Sequence, residues 1–398
     1  MASHLWNDNG CNTNTAKGNW LLEKCLGSKA STVFNNHWAT WVVESDFANM
    51  SAAGVNTIRI PVGWWQIYDN FGGAGNATLK YNITQKNYAV GSLKYLDLAF
   101  QWAEKYGIGV HLCMHAAPGS QNGQEHSSPV SADTILWDQS LDNVNQTTES
   151  IALFTQRYVN YTTFLGFFVL NEPAVNEAVL KNYYLQVYAR MRTICTSCQV
   201  IISPQTVPFQ VGYEATWSSF MNPTAGYYNV SMDLHIYFCF GGPYDPYNAD
   251  AVVNYANTSV RVGMKQYFDV NPKPLIIGEW SGCALNSSRT KDLIRTQLDV
   301  YSKVGWYFWA WYKTPGGFWQ FQGMYDSGNI VKSDMDTNIC LLSNSTSTIN
   351  STITPTPTPS IIANSTTTPS TPVTNSSSSR GGLSITTIIL LIVYFVIA

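Results

Sequence analysis

Charge is what this chain has least of. Acidic and basic residues fill 12% of its 398 positions, about half the usual share, and the net charge is only −3. Lysines and arginines are scattered, with no basic run, and a surface that neutralises phosphates needs clustered cations, so a nucleic-acid partner is not expected. The chain has no His-Glu-X-X-His. His111 and His115 share the four-residue spacing of a helical zinc pair but fall on a predicted strand and loop, so neither a metal nor another cofactor is expected. No positively charged segment followed by an apolar one comes after Met1. The apolar stretch Leu383–Ala398 is short of the roughly 20 residues that span a bilayer as a helix, and no internal repeat is visible.

In place of charge there are aromatics, at 14%, and Asn-X-Ser/Thr sequons at Asn49, Asn76, Asn82, Asn145, Asn160, Asn229, Asn257 and Asn286. Glycans on such sites would solubilise a charge-poor surface and place the chain on the secretory route. The missing leader leaves two readings open: a first segment is lacking, or residues 1 to about 10 stand in its place. Eight cysteines read as structural disulfides, with the pairing open, and Cys195-Thr-Ser-Cys198 lacks the surroundings of a redox motif. Residues 343–382 are Ser, Thr, Pro and Asn with few large apolar side chains, which reads as a disordered, glycosylated stalk. The tail 383–398, after small residues at Asn375, Ser376 and Ser377, reads as a glycolipid-anchor signal or a membrane anchor, the chain's one expected tie to a membrane.

Residues 1–342 carry the periodicity of alternating strands and helices. Phe164–Leu170 is a short continuous apolar run, the pattern of a strand buried on both faces, and Asn171-Glu172-Pro173 follows it, with proline stopping the ladder. Pro274–Gly278 repeats the form and delivers Glu279. Other expected strands are Val55–Val62, with Arg59 inside it, Ile108–Met114, with His115 at its end, Gln199–Pro204, Ser231–Tyr237, with His235 and Tyr237 on one face, and Gly305–Trp311. Gly18–Glu23 reads as an abbreviated first strand whose exit places Glu23 at the rim. Helices are expected over His37–Met50, Tyr88–Tyr106, Lys181–Arg192 and Asp292–Lys303. Eight strand–helix units make an α/β (β/α)8 barrel, in which carboxylates at strand ends share the C-terminal rim. Two facing glutamates there suit acid–base or glycosyl chemistry, and an arginine inside a strand needs such a partner.

These residues resemble a known set. Asn56–Gly63, His115-Ala-Ala-Pro-Gly-Ser-Gln-Asn-Gly123, Asn171-Glu172-Pro173, His235-Ile-Tyr237, Gly278-Glu279-Trp280 and Trp309-Ala-Trp311 are similar, in order, to the motifs of fungal-type exo-β-1,3-glucanases of glycoside hydrolase family 5. The resemblance runs from about Gly18 to Cys340 and implies a (β/α)8 barrel, a retaining mechanism, no metal, and a monomer acting on cell-wall β-glucan at the cell surface. It implies that Glu172 is the general acid/base and Glu279 the nucleophile. Asn171 would bind the sugar 2-hydroxyl, and Arg59 and Tyr237 would hold the nucleophile ionised. His115 and His235 would line the pocket, Trp311 would form the platform under the reacting sugar, and Glu23 and Glu125 would grip its outer hydroxyls. Phe240 corresponds to one half of an aromatic clamp on the leaving sugar, whose other half is here Gln124. Tyr312-Lys313-Thr314-Pro315 also departs from the pattern, which usually carries an acidic residue. Transglycosylation, cleavage of β-1,6 or β-1,4 glucosides, and a silent glucan-binding wall protein are the alternatives.

Overall fold

The computed structural model describes residues 4–204, 217–311 and 317–335, and the backbone of 391–394. The stalk, the tail apart from that backbone, Cys340 and the segment Tyr312–Pro315 lie outside the described residues. Seven parallel strands follow one another round a curled sheet: β1 (Thr57–Gly63), β2 (Gly109–Ala116), β3 (Phe164–Phe168), β4 (Gln199–Ile202), β5 (Val230–Phe238), β6 (Leu275–Ala284) and β7 (Gly305–Phe308). The backbone of β8 (Leu391–Tyr394) pairs in parallel with both β7 and β1 and closes the ring. This barrel belongs to the unit formed by residues 1–339 and 389–398.

The strands are apolar on both faces, and the period of two sends alternate residues to two different cores. On β1 and β2, Ile58, Ile60, Val110, Leu112 and Met114 join the large outer core packed beneath the helices. Cys113 on β2, with Phe168, Ile201, Ile276 and Tyr307 from the following strands, fills the barrel interior as a separate cluster. His111, also facing inward, is bonded through Nδ1 to the Tyr307 hydroxyl (2.5 Å) and through Nε2 to Gln199 Oε1 (2.9 Å). Burial pushes its imidazole down to about 3, so it is a neutral part of the barrel floor.

Helix Leu93–Tyr106 shows how the outer layer is cut to length. Leu93, Leu96, Ala99, Phe100 and Ala103 make one buried stripe. Asp69 Oδ2 accepts hydrogen bonds from Gly91 N, Ser92 Oγ and Leu93 N at its start, and Gly107 ends it at φ 67°, its N–H turned back to the last carbonyls. Two expectations need correction. Residues 37–50 are not one helix: Ala30–Trp41 stops at extended Val42 and Val43, and Glu44–Ala53 begins anew, because Asp46 accepts the Val43 N–H at 2.9 Å and caps a fresh start. Gly18–Glu23 is not a strand but part of helix Gly18–Leu26, tied by the Cys11–Cys25 disulfide. Two further disulfides, Cys195–Cys198 and Cys239–Cys283, leave Cys113 as the free thiol among the described residues.

Candidate active site

The strands β1, β2, β3, β5 and β6 converge at their C-terminal ends on a cluster of charged side chains. Arg59, fully buried inside β1, donates from Nη1 to Glu279 Oε1 at 3.0 Å and from Nη2 to Asn171 Oδ1 at 2.6 Å, with its guanidinium 4.6 Å from the Phe168 ring. Tyr237 on β5 donates its hydroxyl to the other Glu279 oxygen at 2.7 Å. His235, two residues earlier on the same face, lies 2.7 Å through Nδ1 from Glu172 Oε1 and 3.6 Å from Glu279 Oε2. One oxygen each from Glu172 and Glu279 and a ring nitrogen of His235 lie within 4.8 Å of one another.

Asn171 and Glu172 stand beyond β3 on a segment that needs outside support. Glu172 has φ 44°, the left-handed region that a non-glycine residue occupies at a cost. The loop 118–123 supplies the brace. Gln121 Nε2 donates to the Asn171 and His115 carbonyls (2.9 and 2.8 Å), and Asn122 Nδ2 donates to the Glu172 carbonyl (3.0 Å). Gly123 closes the loop at φ 75°, where a Cβ would fall 2.8 Å from the Asp133 backbone.

The sequence matches the family described as Cellulase (glycosyl hydrolase family 5) over residues 16–314. The chain belongs to glycosyl hydrolase family 5. Among family relatives it is 30% identical over 371 residues to a glucan 1,3-beta-glucosidase of Blumeria graminis, covering 79% of this chain and 81% of that one. It is 29% identical over 354 residues to a probable glucan 1,3-beta-glucosidase A of Aspergillus niger, covering 77% and 78%. The crystal structure of rutinosidase from Aspergillus niger shares the fold, with a TM-score of 0.63 at 17% identity over 83% of this chain and 93% of that one. The protein is thus a glycosidase, and Glu172 and Glu279 are the two carboxyls that meet in its rim cluster.

Electrostatics set those two carboxyls in different company. Burial pushes Glu279 up, joined by the charge of Glu172 and opposed by His235, Arg59 and Tyr237, and its ordinary value is raised. Burial also pushes Glu172 up, but where His126 and His235 both donate to it the balance lies well below the usual carboxylate range. The two titrate together. Burial pulls His235 down, yet Glu279, Asp233 and Glu172 outweigh it and lift it to about 10, so this imidazole is cationic. Tyr237 is raised well above 10 by burial and both glutamates, and stays a donor. His115 is held well below its usual value by burial and by neighbouring cations, and is neutral. Glu172, His235 and Glu279 offer three donor atoms that a metal ion could use. Arg59 already occupies Glu279, and its fixed charge opposes a second cation there.

Beside the carboxyls a pocket is lined by residues that include Asn19, Trp65, His115, Glu125, His126 and Trp309. Glu125 is exposed there. Glu23 is not among the lining residues: its helix turns the carboxylate onto Ala89 N–H (2.7 Å), and burial raises it to about 8. Trp311 does not form the platform. β7 ends at Phe308, and Trp311 is buried beneath, its Nε1 3.4 Å from Asp46 Oδ1 and its ring stacked 5.8 Å from Phe321. Trp309 takes the pocket position, parallel to His115 at 5.7 Å. Phe240 stands exposed, and its ring forms a triangle with those of Tyr237 (5.7 Å) and Trp319 (6.1 Å). Sequence reasoning missed His126, Asp233, Trp309 and Trp319. A two-residue count back from His235 would have found Asp233, whose Oδ2 is 3.2 Å from His235 Nε2, while nothing local marks His126 or Trp319.

Proposed function

We propose that this enzyme releases glucose from the non-reducing ends of β-1,3-glucan with retention of configuration. The observation that carries the reading is the close approach of Glu172 and Glu279. Their donor atoms, within 4.8 Å of each other, suit the roughly 5–5.5 Å spacing of a nucleophile and an acid/base better than the about 6.5–9.5 Å of inverting enzymes. The names of the Blumeria and Aspergillus relatives support the substrate.

In this reading Glu279, held by Arg59 and Tyr237, attacks the anomeric carbon while Glu172 protonates the leaving glycosidic oxygen, drawing the proton from the His235 imidazolium whose Nδ1 lies 2.7 Å from Oε1. Water then enters, Glu172 takes its proton, and the bond to Glu279 breaks. Asn171 Nδ2 is buried without a hydrogen-bond partner while Arg59 holds Oδ1, so the amide N–H is left for the sugar 2-hydroxyl, a contact that strengthens as charge develops at the neighbouring carbon. Trp309 supplies an apolar face for the sugar ring.

The cell surface is the proposed location. Three disulfides suit an oxidising compartment, and Asn49, Asn76, Asn82, Asn160, Asn229 and Asn257 are exposed. An anchor signal in 383–398 would be removed with β8, so the mass of the C-terminal peptide of the mature protein tests that part. The activity is tested on laminarin, reading anomers at early times in wild type and Glu279→Gln. β-Glucose appearing first, and lost in the variant, is the expected result. Elongated or long products would move the reaction to transfer or internal cleavage, and binding without turnover would make this a glucan-binding protein.

A further inference from the structure

One wall of the pocket supplies none of the charged cluster. Helix Gly18–Leu26 precedes β1 in the chain, yet it brings Asn19 into the lining beside Trp65 and Glu125. The helix is held there at three points. Cys25 is tied to Cys11, Glu23 accepts the Ala89 N–H at 2.7 Å, and Trp20 N–H donates to Ser128 Oγ at 2.9 Å. Ser128 is fixed in turn, its carbonyl accepting from Gln85 Nε2 at 2.7 Å. Gly18 shows how closely helix and turn approach. It sits at φ 81°, and a Cβ there would fall 2.5 Å from the Glu125 carbonyl oxygen and 2.8 Å from Ser128 Cα. Backbone packed on backbone in this way leaves no passage for a sugar between them.

Asn19 is unusual for a residue in such a wall. It is 3% exposed, and polar side chains buried to that degree ordinarily have their hydrogen bonds met. Its amide has no partner among the described residues. Nor is the amide among the buried polar groups sealed from solvent, and the opening that Asn19 borders is the pocket. Arg59 holds one end of the Asn171 amide, whereas both ends of Asn19 are unengaged, an N–H pair that donates and a carbonyl that accepts. Hydroxyl groups, which do both, complement it. The Glu125 carboxylate in the same lining disfavours an anion.

We propose that Asn19 is a specificity-determining residue that binds hydroxyls of the terminal sugar on the side of its ring away from the bond that is cut. This rests on the proposed release of glucose from chain ends. The closed wall meets the last sugar of a chain, and the Asn19 amide reads whether that sugar carries hydroxyls where glucose does. A sugar lacking the right hydroxyl leaves a buried amide unpaired, which is costly.

The test is a cycle between residue and hydroxyl. We would measure kcat/KM on an aryl β-glucoside and on its 3-, 4- and 6-deoxy forms, in wild type, Asn19→Ala and Asn19→Ser. Asn19→Ala should lose about tenfold on the parent substrate, and one deoxy form should lose about tenfold in wild type. On that same deoxy form the variant should show little further loss, because the contact is already gone. The Asn19→Ala loss should be equal on laminaritriose, since the contact is with the terminal sugar alone. Asn19→Ser keeps a polar group at the start of the helix and reads the same cycle where the alanine variant does not fold. Losses that simply add for all three deoxy forms would overturn the proposal, as would an effect of Asn19→Ala confined to melting. Calorimetric binding of 1-deoxynojirimycin and forms of it lacking one further hydroxyl repeats the cycle without turnover. A coupled loss there, in a protein that leaves laminarin uncleaved, would uphold the Asn19 contact and sink the proposed function. Additive losses in a protein that releases β-glucose would do the reverse.

Discussion

Replacing Arg59 by methionine tests the arrangement at its most committed point. Methionine fills similar space with no charge, and it removes two hydrogen bonds, to Glu279 at 3.0 Å and to Asn171 at 2.6 Å, both wholly out of water. Bonds to charged groups contribute about 1.5–3 kcal/mol each, and stranding one partner of a buried ion pair costs about 3–5 kcal/mol, so the two routes agree near 4 kcal/mol. At roughly 2 °C per kcal/mol for a domain of more than 200 residues, the melting temperature should fall by about 8 °C. Part of the loss is avoided if Glu279 takes up a proton, but then the nucleophile is gone, so kcat should drop at least about a hundredfold. Arg59→Lys keeps a charge without the fork that spans two partners and should fall between. Calorimetry and laminarin kinetics read both effects. A methionine variant melting within 2 °C of wild type and retaining more than about a third of its kcat would refute the claim that this pair organises the site.

The two tryptophans after β7 should separate cleanly. Trp311→Ala should cost about 3–5 kcal/mol of stability with KM unchanged in the surviving folded enzyme, whereas Trp309→Ala should leave melting nearly intact and raise KM about tenfold or more. Tyr237→Phe deletes one charge-assisted hydrogen bond to Glu279, and kcat should fall about tenfold to a hundredfold with little change in melting. Glu23 binds its proton more tightly in the folded protein, to about 8, than in the unfolded chain, near 4.5. Stability should therefore decline as pH rises across that window, and Glu23→Gln should flatten the slope in melting experiments.

What could be read from the sequence follows from which residues carry their own signal. A strand buried on both faces needs an unbroken apolar run, and that is why Phe164–Phe168 and Leu275–Ile277 were visible, together with the glutamates beyond them. Arg59 stood out because a lone charge in such a run demands a partner. Helix breaks are set by single contacts. The stop at Val42 depends on Asp46 reaching back to a backbone N–H, which periodicity over Trp38, Phe47 and Met50 cannot register. Trp309 and Trp311 differ by two positions and not at all in kind, and only the turn of the chain after Phe308 decides which one faces the pocket. His126 carries no local signal, and only the fold of its loop brings Nε2 to 3.3 Å from Glu172.

The left-handed backbone at Glu172 means that folding and chemistry rank the amino acids differently at this one position. Glycine would relieve roughly 1 kcal/mol of backbone strain, and asparagine part of it, and neither could carry the proton. The loop through Gln121 and Asn122 absorbs that strain so that the acid can stay. Variant libraries sorted for thermal resistance alone should therefore drift toward glycine or asparagine at position 172, and the enzyme's tolerance of heat would be gained by discarding its reaction.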